Sequence, residues 1–461
     1  MRNDLLLRAQ QLVEEAVAPR LCGRVVRVVG LMVEAHVPEA RIGDLAKIDR
    51  DDGTQIDAEV VGFRQDLAML VPLDHMRGVA PSARVSLAKG GAEIKVGPEL
   101  IGRVVDAFGR PLDGKPAPPL RGSAPLMARA VNAFDRAPVS KPLETGVRAI
   151  DGLLTFGIGQ RVGLFAGSGV GKTVLMTQVA RQTKADMVVM GLIGERGREV
   201  REILTDEGRK NTIIVAATSD RSPMERARGA LAATAIAEWF RDQGKTVLLV
   251  MDSLTRYAMA LREIGLAAGE PPATKGYPPS VFAALPRLLE RAAPLSSGGS
   301  ITGIYTVLVE GDDLADPIAD TARSLLDGHV VLSRDLAGRG FFPAVDVLAS
   351  ASRVADAVMS AEHLKLSQRA RATLARRRDV EDLRALGAYQ PGASAENDEA
   401  LAIGEKLDRV LRQEPAEATT LAETVVRIKE ALTPGPVPAA RRTVGTQGAA
   451  PFPPAGNGGR R

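Results

Sequence analysis

Between Asp4 and Ala18 the apolar positions Leu5, Leu12, Val13, Ala16 and Val17 recur near helical spacing, and Pro19 ends the run. This predicts an amphipathic helix within residues 1–20, either packed on its own protein or free to dock a partner. From Cys22 the pattern shortens to β-like runs: Gly23–Val29, Ile56–Phe63, Ala68–Pro72 and Ala83–Leu87. Gly, Pro and Asp punctuate them, as in Asp51-Asp52-Gly53. Short strands at this spacing predict a small barrel or sandwich over residues 21–92.

Residues 93–360 alternate apolar strands with longer helical patterns. Met187–Leu192, Thr212–Ala216, Thr246–Met251, Ile301–Val309 and His329–Leu332 read as strands, and Glu225–Gln243 as a helix between them. That alternation predicts an α/β fold, a parallel sheet covered by helices on both faces. After Ala361 the chain turns helical and charged, with helices predicted at His363–Arg384, Asn397–Arg412 and Glu417–Ala431, a small domain over 361–433. In the last 28 residues, 434–461, 12 are Pro or Gly, which predicts a disordered tail.

Composition narrows the class. A chain of 461 residues exceeds a single core, so two or three domains are expected. Aromatics make up only 3%, which leaves the cores to Ala, Val, Leu and Ile. The single cysteine, Cys22, excludes an internal disulfide and a thiol-rich zinc site, and fits a reducing cytoplasm. His36, His75, His329 and His363 lack metal-ligand spacing. A formal charge of +4 gives no case for nucleic-acid binding. The most apolar stretches, such as Met187–Gly194, are far shorter than the ~20 residues of a membrane span.

The densest chemistry lies in Ala166-Gly167-Ser168-Gly169-Val170-Gly171-Lys172-Thr173, between the strand-like Arg161–Phe165 and the helical Val174–Gln182. Glycines turn backbone N–H groups toward phosphate oxygens, and the helix N-terminus adds its positive end. Lys172 would reach the β- and γ-phosphates of ATP, and the Thr173 hydroxyl would hold Mg2+. Ala166 stands where the usual pattern has Gly, so the turn must tolerate a methyl group.

Asp252, at the end of an apolar strand, either organises a magnesium-bound water or simply caps the strand. Glu195, in Gly194-Glu195-Arg196-Gly197, either orients and deprotonates an attacking water or pairs with Arg196 or Arg198. Arg353, in Ser350-Ala351-Ser352-Arg353, is either a finger on the transferred phosphoryl group or a solvated arginine.

Together these segments resemble the catalytic ATPases of type III protein export, flagellar and injectisome, which are related to rotary ATP synthase catalytic subunits. The resemblance runs from about Gly23 to Gly392. It is carried by Leu100–Gly114 (LIGRVVDAFGRPLDG), Thr145–Thr173 (TGVRAIDGLLTFGIGQRVGLFAGSGVGKT), Gly191–Val200 (GLIGERGREV) and Asp252–Tyr257 (DSLTRY). Glu270–Phe282 (EPPATKGYPPSVF), Tyr305–Asp313 (YTVLVEGDD) and Leu326–Ser333 (LDGHVVLS) extend it.

The resemblance implies an N-terminal β-barrel, a RecA-like P-loop ATPase core and a C-terminal helical domain. It makes Glu195 the catalytic carboxylate, Arg196 a neighbour of the γ-phosphate, and Arg353 a finger acting on ATP held by an adjacent subunit of a homohexamer. Phe342 falls where relatives often place a Tyr against the adenine, and Phe keeps the flat apolar face. The implied partners are a stator-like regulator at the N-terminal helix, a central stalk and export chaperone–substrate complexes at the helical domain. The implied location is cytoplasmic, at the periphery of the inner-membrane export gate. Gly387-Ala388-Tyr389 looks flagellar, whereas Thr218-Ser219-Asp220-Arg221 and Met224-Glu225-Arg226 look like the injectisome branch; the balance leans slightly to flagellar. Two rivals stand beside this reading: a nucleic-acid translocase, which shares the RecA-like core, and a non-catalytic nucleotide-binding ring subunit, whose rotary relatives lack the carboxylate at the Glu195 position.

Overall fold

A computed structural model describes residues 22–88, 93–204, 211–309, 311 and 313–433. The helix expected before Pro19 and the tail expected after Thr433 lie outside the described residues.

The first unit is a closed, antiparallel, six-stranded barrel in the order β1-β2-β5-β4-β3-β6. Its strands are β1 (Cys22–Val29), β2 (Met32–His36), β3 (Leu45–Asp49), β4 (Gln55–Arg64), β5 (Leu67–Pro72) and β6 (Arg84–Ala88). Closure comes from β1, which pairs with both β2 and β6. Register shifts between Val25 and Arg27 and between Val60 and Gly62 bend the ribbon, as a small barrel requires. Every second residue of β4, including Ile56, Ala58 and Val60, points into a filled interior with Val33, Ile48, Leu70 and Val85. The sequence reading missed β2 and β3, and the reason is local. β2 carries Glu34, which is buried because Arg27 on the adjacent β1 and Arg64 at the end of β4 both donate to its carboxylate at 3.0 Å. β3 offers only Ala46 and Ile48 to the interior, between Lys and Asp.

Two short ribbons follow, β7 (Glu93–Val96) with β9 (Gly122–Pro125), and β10 (Pro142–Leu143) with β11 (Phe156–Gly157). The central sheet contains β8 (Val104–Val105), β12 (Arg161–Ala166), β13 (Met187–Ile193), β14 (Thr212–Ala217), β15 (Thr246–Asp252), β16 (Ser300–Leu308), β17 (Gly328–Leu332) and β18 (Val345–Ser352). Their order is β18-β17-β12-β16-β15-β13-β14-β8. All neighbours are parallel except β17 and β18, so the edge strand departs from the wholly parallel sheet expected.

Alternate residues of the buried strands serve two cores. Val189, Val247, Leu249 and Ile301 face one side, where the alanine-rich helix Pro223–Arg241 lies close. That approach is tight enough to leave a Cβ on Gly191 only 3.0 Å from Ala233, which is how a chain short of aromatics still packs. Leu164, Val188, Met190 and Val250 face the other side, against the helix Lys172–Gln182.

Three C-terminal helices, Ala361–Ala385, Ala395–Leu411 and Leu421–Ala431, complete that second core through Ala370, Leu374, Leu407 and Ile428. Ser360, Ser394 and Thr420 cap their N-termini, and Thr420 forms a reciprocal box with Glu423. The last helix therefore starts at Leu421 rather than at Glu417 as expected. Glu417 instead accepts from buried Arg148, 269 residues earlier in the chain.

Candidate active site

Parallel strands deliver their carboxyl ends to one margin of the sheet. β12 runs into Gly167–Gly171, and the helix begins at Lys172. Gly169 and Gly171 adopt φ of 79° and 92°, which side chains resist, so the glycines are what allow the loop to curl. Val170 is buried and pins the loop, while Ser168 and Gly169 are exposed. The methyl of Ala166 sits inside the second core, so the turn tolerates it as an ordinary packed strand residue.

Two further strands place carboxylates beside the loop. β15 lies two strands from β12, a lateral distance of about 10 Å that the Lys172 stem spans. Asp252, at its end, is 1% exposed; its Oδ1 accepts from the Lys172 ammonium and from the Thr306 hydroxyl on β16. β13 ends at Ile193, and Gly194, with φ of 69°, turns the chain so that Glu195 faces the same ammonium at 3.5 Å. Glu195 is 7% exposed, and its Oε1 is buried without a hydrogen-bond partner. Burial above all, then the Asp252 charge, push its carboxyl up to about 7, against the opposing pull of Lys172.

One ammonium thus faces two carboxylates. The ion pair that the sequence left open for Glu195 forms with Lys172, while Arg196 is exposed. Thr173, half-buried, follows Lys172 on the first helical turn. These hydroxyl and carboxylate oxygens are hard donors of the kind a magnesium ion takes, and the Glu195 Oε1, ion-paired but without a hydrogen bond, keeps bonding capacity there.

Phe342 lies on the far side of the loop. It is 45% exposed, and its ring carbons approach within 3.5 and 3.7 Å of where a Cβ on Gly171 would sit. An open aromatic face therefore flanks the phosphate loop.

Arg353 is not part of this cluster. It follows Ser352, which pairs with Gly328 at the start of β17, and its N–H donates to the Asp327 carbonyl at 2.9 Å. Asp327 also accepts from the Arg161 N–H at 3.0 Å, at the beginning of β12. Arg353 is therefore exposed at the opposite margin of the sheet, a strand length of about 20 Å from its own phosphate loop. The sequence reading also passed over Arg256. Its stem packs 2.9 Å from where a Cβ on Gly194 would lie, and its buried Nε has no partner. The signal was available: Arg256 sits four residues after Asp252, one helical turn into the helix Leu254–Ala267.

A loop of this form between a buried parallel strand and a helix, facing carboxylates from adjacent strand ends, defines a P-loop nucleotide hydrolase with a RecA-like core. Sequence comparison narrows that class. Residues 146–352 match the nucleotide-binding domain of the ATP synthase alpha/beta family and residues 25–87 its beta-barrel domain. Residues 359–430 match the C-terminal domain described for the type III secretion ATPase EscN.

The flagellum-specific ATP synthase of Pseudomonas aeruginosa is 49% identical over 425 residues, covering 90% of this chain and 94% of the relative. The type 3 secretion system ATPase of Sinorhizobium fredii is 49% identical over 408 residues, covering 87% and 90%. The structure of assembled EscN from enteropathogenic E. coli aligns with a TM-score of 0.84 at 43% identity, over 89% of this chain and 100% of that one. EscN in complex with its central stalk EscO aligns with a TM-score of 0.82 at 42% identity, over the same shares of the two chains. The chain belongs to the family of type III export ATPases, flagellar and injectisome, and is an ATP hydrolase of protein export. Among the described residues no helix is long and apolar enough to cross a membrane.

Proposed function

We propose that this chain is the catalytic subunit of a homohexameric export motor, slightly nearer the flagellar than the injectisome branch, with its barrel, ATPase and helical units meeting near residues 92 and 360. Lys172 leaves Asp252 for the β- and γ-phosphates when ATP enters the loop formed by Gly167, Ser168, Gly169, Val170 and Gly171. Thr173 and Asp252 would hold magnesium, which would supply positive charge against the phosphate oxygens. Glu195, released from Lys172, orients and deprotonates the attacking water. Arg196, next to Glu195 in the chain, and Arg256, packed on Gly194, steady the γ-phosphate. Phe342 stacks on the adenine, and Arg353 serves the ATP of an adjacent subunit.

The stalk partner is inferred from EscN, solved with its central stalk. An N-terminal stator-like contact, chaperone release with cargo unfolding, and a cytoplasmic position at the inner-membrane export gate complete the reading. The observation that carries it is Glu195: buried, its Oε1 3.5 Å from the phosphate-loop lysine and making no hydrogen bond. A non-catalytic subunit has no use for such a group.

The test is steady-state ATP hydrolysis and nucleotide binding in wild type and Glu195→Gln, with activity followed against protein concentration. The expected result is a specific activity that rises with concentration and is absent in the variant, while ATP binding persists. Near-normal turnover in Glu195→Gln would remove the catalytic assignment.

A further inference from the structure

The loop between the last two C-terminal helices, residues 412–420, is bound at once to Phe342, to the segment Gly146–Arg148 and to the far end of the helix that begins at Lys172. The Gln413 main-chain N–H donates to the Phe342 carbonyl at 2.9 Å. Its side chain, 5% exposed, uses both of its polar atoms: Oε1 accepts from the Arg148 N–H at 2.8 Å, and Nε2 donates to Gly146 O at 2.7 Å and Glu417 O at 2.8 Å. Arg148, buried at 3% exposure, donates through its guanidinium to Val410 O, Arg412 O and the Glu417 carboxylate. From the phosphate-loop helix, Gln182 donates to Glu417 O at 3.0 Å.

A buried amide with every bond filled has one geometry, because losing any partner strands a polar group away from water. What that geometry fixes is the Phe342 main chain. The Phe342 ring is 45% exposed and lies beside Gly171, so its place over the loop follows the course of its main chain. Its neighbour Phe341 is anchored separately, beneath the Arg412 guanidinium at 5.1 Å.

We propose that Gln413 is a positioning residue for the nucleotide base, holding the Phe342 platform at its height above the phosphate loop and tying that platform to the C-terminal helices. The inference rests on the reading of Phe342 as the base-stacking residue. The Gln413 side chain is buried and its polar atoms are already bonded to Arg148, Gly146 and Glu417, which leaves it nothing to offer a base or a phosphate. Its removal therefore weakens the part of the ligand that Phe342 recognises and spares the part held by Lys172. ATP offers both parts; inorganic tripolyphosphate offers only the second.

The experiment measures KM for ATP, kcat, and the inhibition constant of magnesium tripolyphosphate, in the full chain and in Gln413→Ala, Phe342→Ala and the double variant. Gln413→Ala is expected to raise KM for ATP about tenfold, with kcat falling less than about threefold and tripolyphosphate inhibition unchanged within about twofold. The double variant should lose no more than Phe342→Ala alone, because both act through one platform. Equal weakening of ATP and tripolyphosphate in Gln413→Ala, or no change in either, would overturn the positioning role while a base-selective loss in Phe342→Ala left the platform standing. If Phe342→Ala shows no base-selective loss, the platform reading falls and this inference falls with it. Where Gln413→Ala does not yield folded protein, Gln413→Asn, which keeps the amide on a shorter stem, is judged by the same ATP-to-tripolyphosphate ratio.

Discussion

The two margins of the central sheet present charge in different ways. At the carboxyl margin, Lys172, Asp252 and Glu195 are all buried, and each is within ion-pair reach of another member of the set. At the amino margin, Arg353 is exposed; its main chain is tied to Asp327, and its Nη2 donates to the Arg323 carbonyl at 3.2 Å. Burying charge is costly without a partner, so the first margin had to supply its own counter-ions within one chain. The second carries no such requirement, and its arginine can be committed to a group outside the chain. One chain thus has a self-paired cluster beside its glycine-rich loop and, a strand length away, a cation that cannot reach it.

Disabling each margin in turn separates their roles. Lys172→Ala and Arg353→Ala are each expected to lower turnover about 10³-fold or more. Mixed in equal amounts, the two inactive proteins should regain part of the activity, since an intact phosphate loop of one then meets an intact Arg353 of the other. Hydrolysis assays on titrated mixtures check this, with sizing to establish that mixed assemblies form; formed assemblies without recovery would place Arg353 outside the reaction.

A smaller effect sharpens the account of the carboxyl margin. Glu195 must be ionised to accept a proton, and its carboxyl is pushed up to about 7. In the free enzyme kcat/KM should therefore be flat above neutrality and fall about tenfold for each pH step below about 7. A pH–rate profile measures this directly; an inflection nearer the ordinary carboxylate value would separate Glu195 from the rate.

The smallest expected effect is on stability. Glu195 is held above its ordinary 4.5 by burial, so the folded chain keeps a proton that the unfolded chain has lost between pH 4.5 and about 7. Its contribution to folding is full below 4.5 and is lost as pH rises through 7. Glu195→Gln carries no charge there. Its melting temperature should therefore gain on wild type as pH rises across that window, and hold a constant gap above it. A gap independent of pH would mean that the carboxyl titrates alike in both states.

How much of this was legible beforehand depended on the range of the interactions. The strands of the central sheet were readable because continuous apolar runs such as Met187–Ile193 are buried on both faces. The phosphate loop was readable because glycine, lysine and threonine are local and ordered along the chain. Glu34 and strand β2 were not, since a buried glutamate looks like surface until Arg27 and Arg64 are brought to it. Gln413 gave no signal at all: its partners Gly146 and Arg148 lie more than 260 residues away. The place of Phe342 beside Gly171 followed only from the family resemblance. Arg353 was legible as a residue, but its separation from its own loop required the register of β17 with β18.

Asp327 joins the two margins more firmly than a list of contacts conveys. Its carbonyl holds the Arg353 main chain, and its carboxylate holds both the main chain and the guanidinium of Arg161, the first residue of the strand that ends in the phosphate loop. The root of the outward arginine and the loop that grips nucleotide are therefore the two ends of a single hydrogen-bonded strand, flanked by β16 and β17. Such a strand neither stretches nor bends cheaply. In a closed ring of these subunits, the span from each arginine to its own loop would be a fixed gauge, and any change in its distance from a neighbour's loop would have to come from movement between subunits.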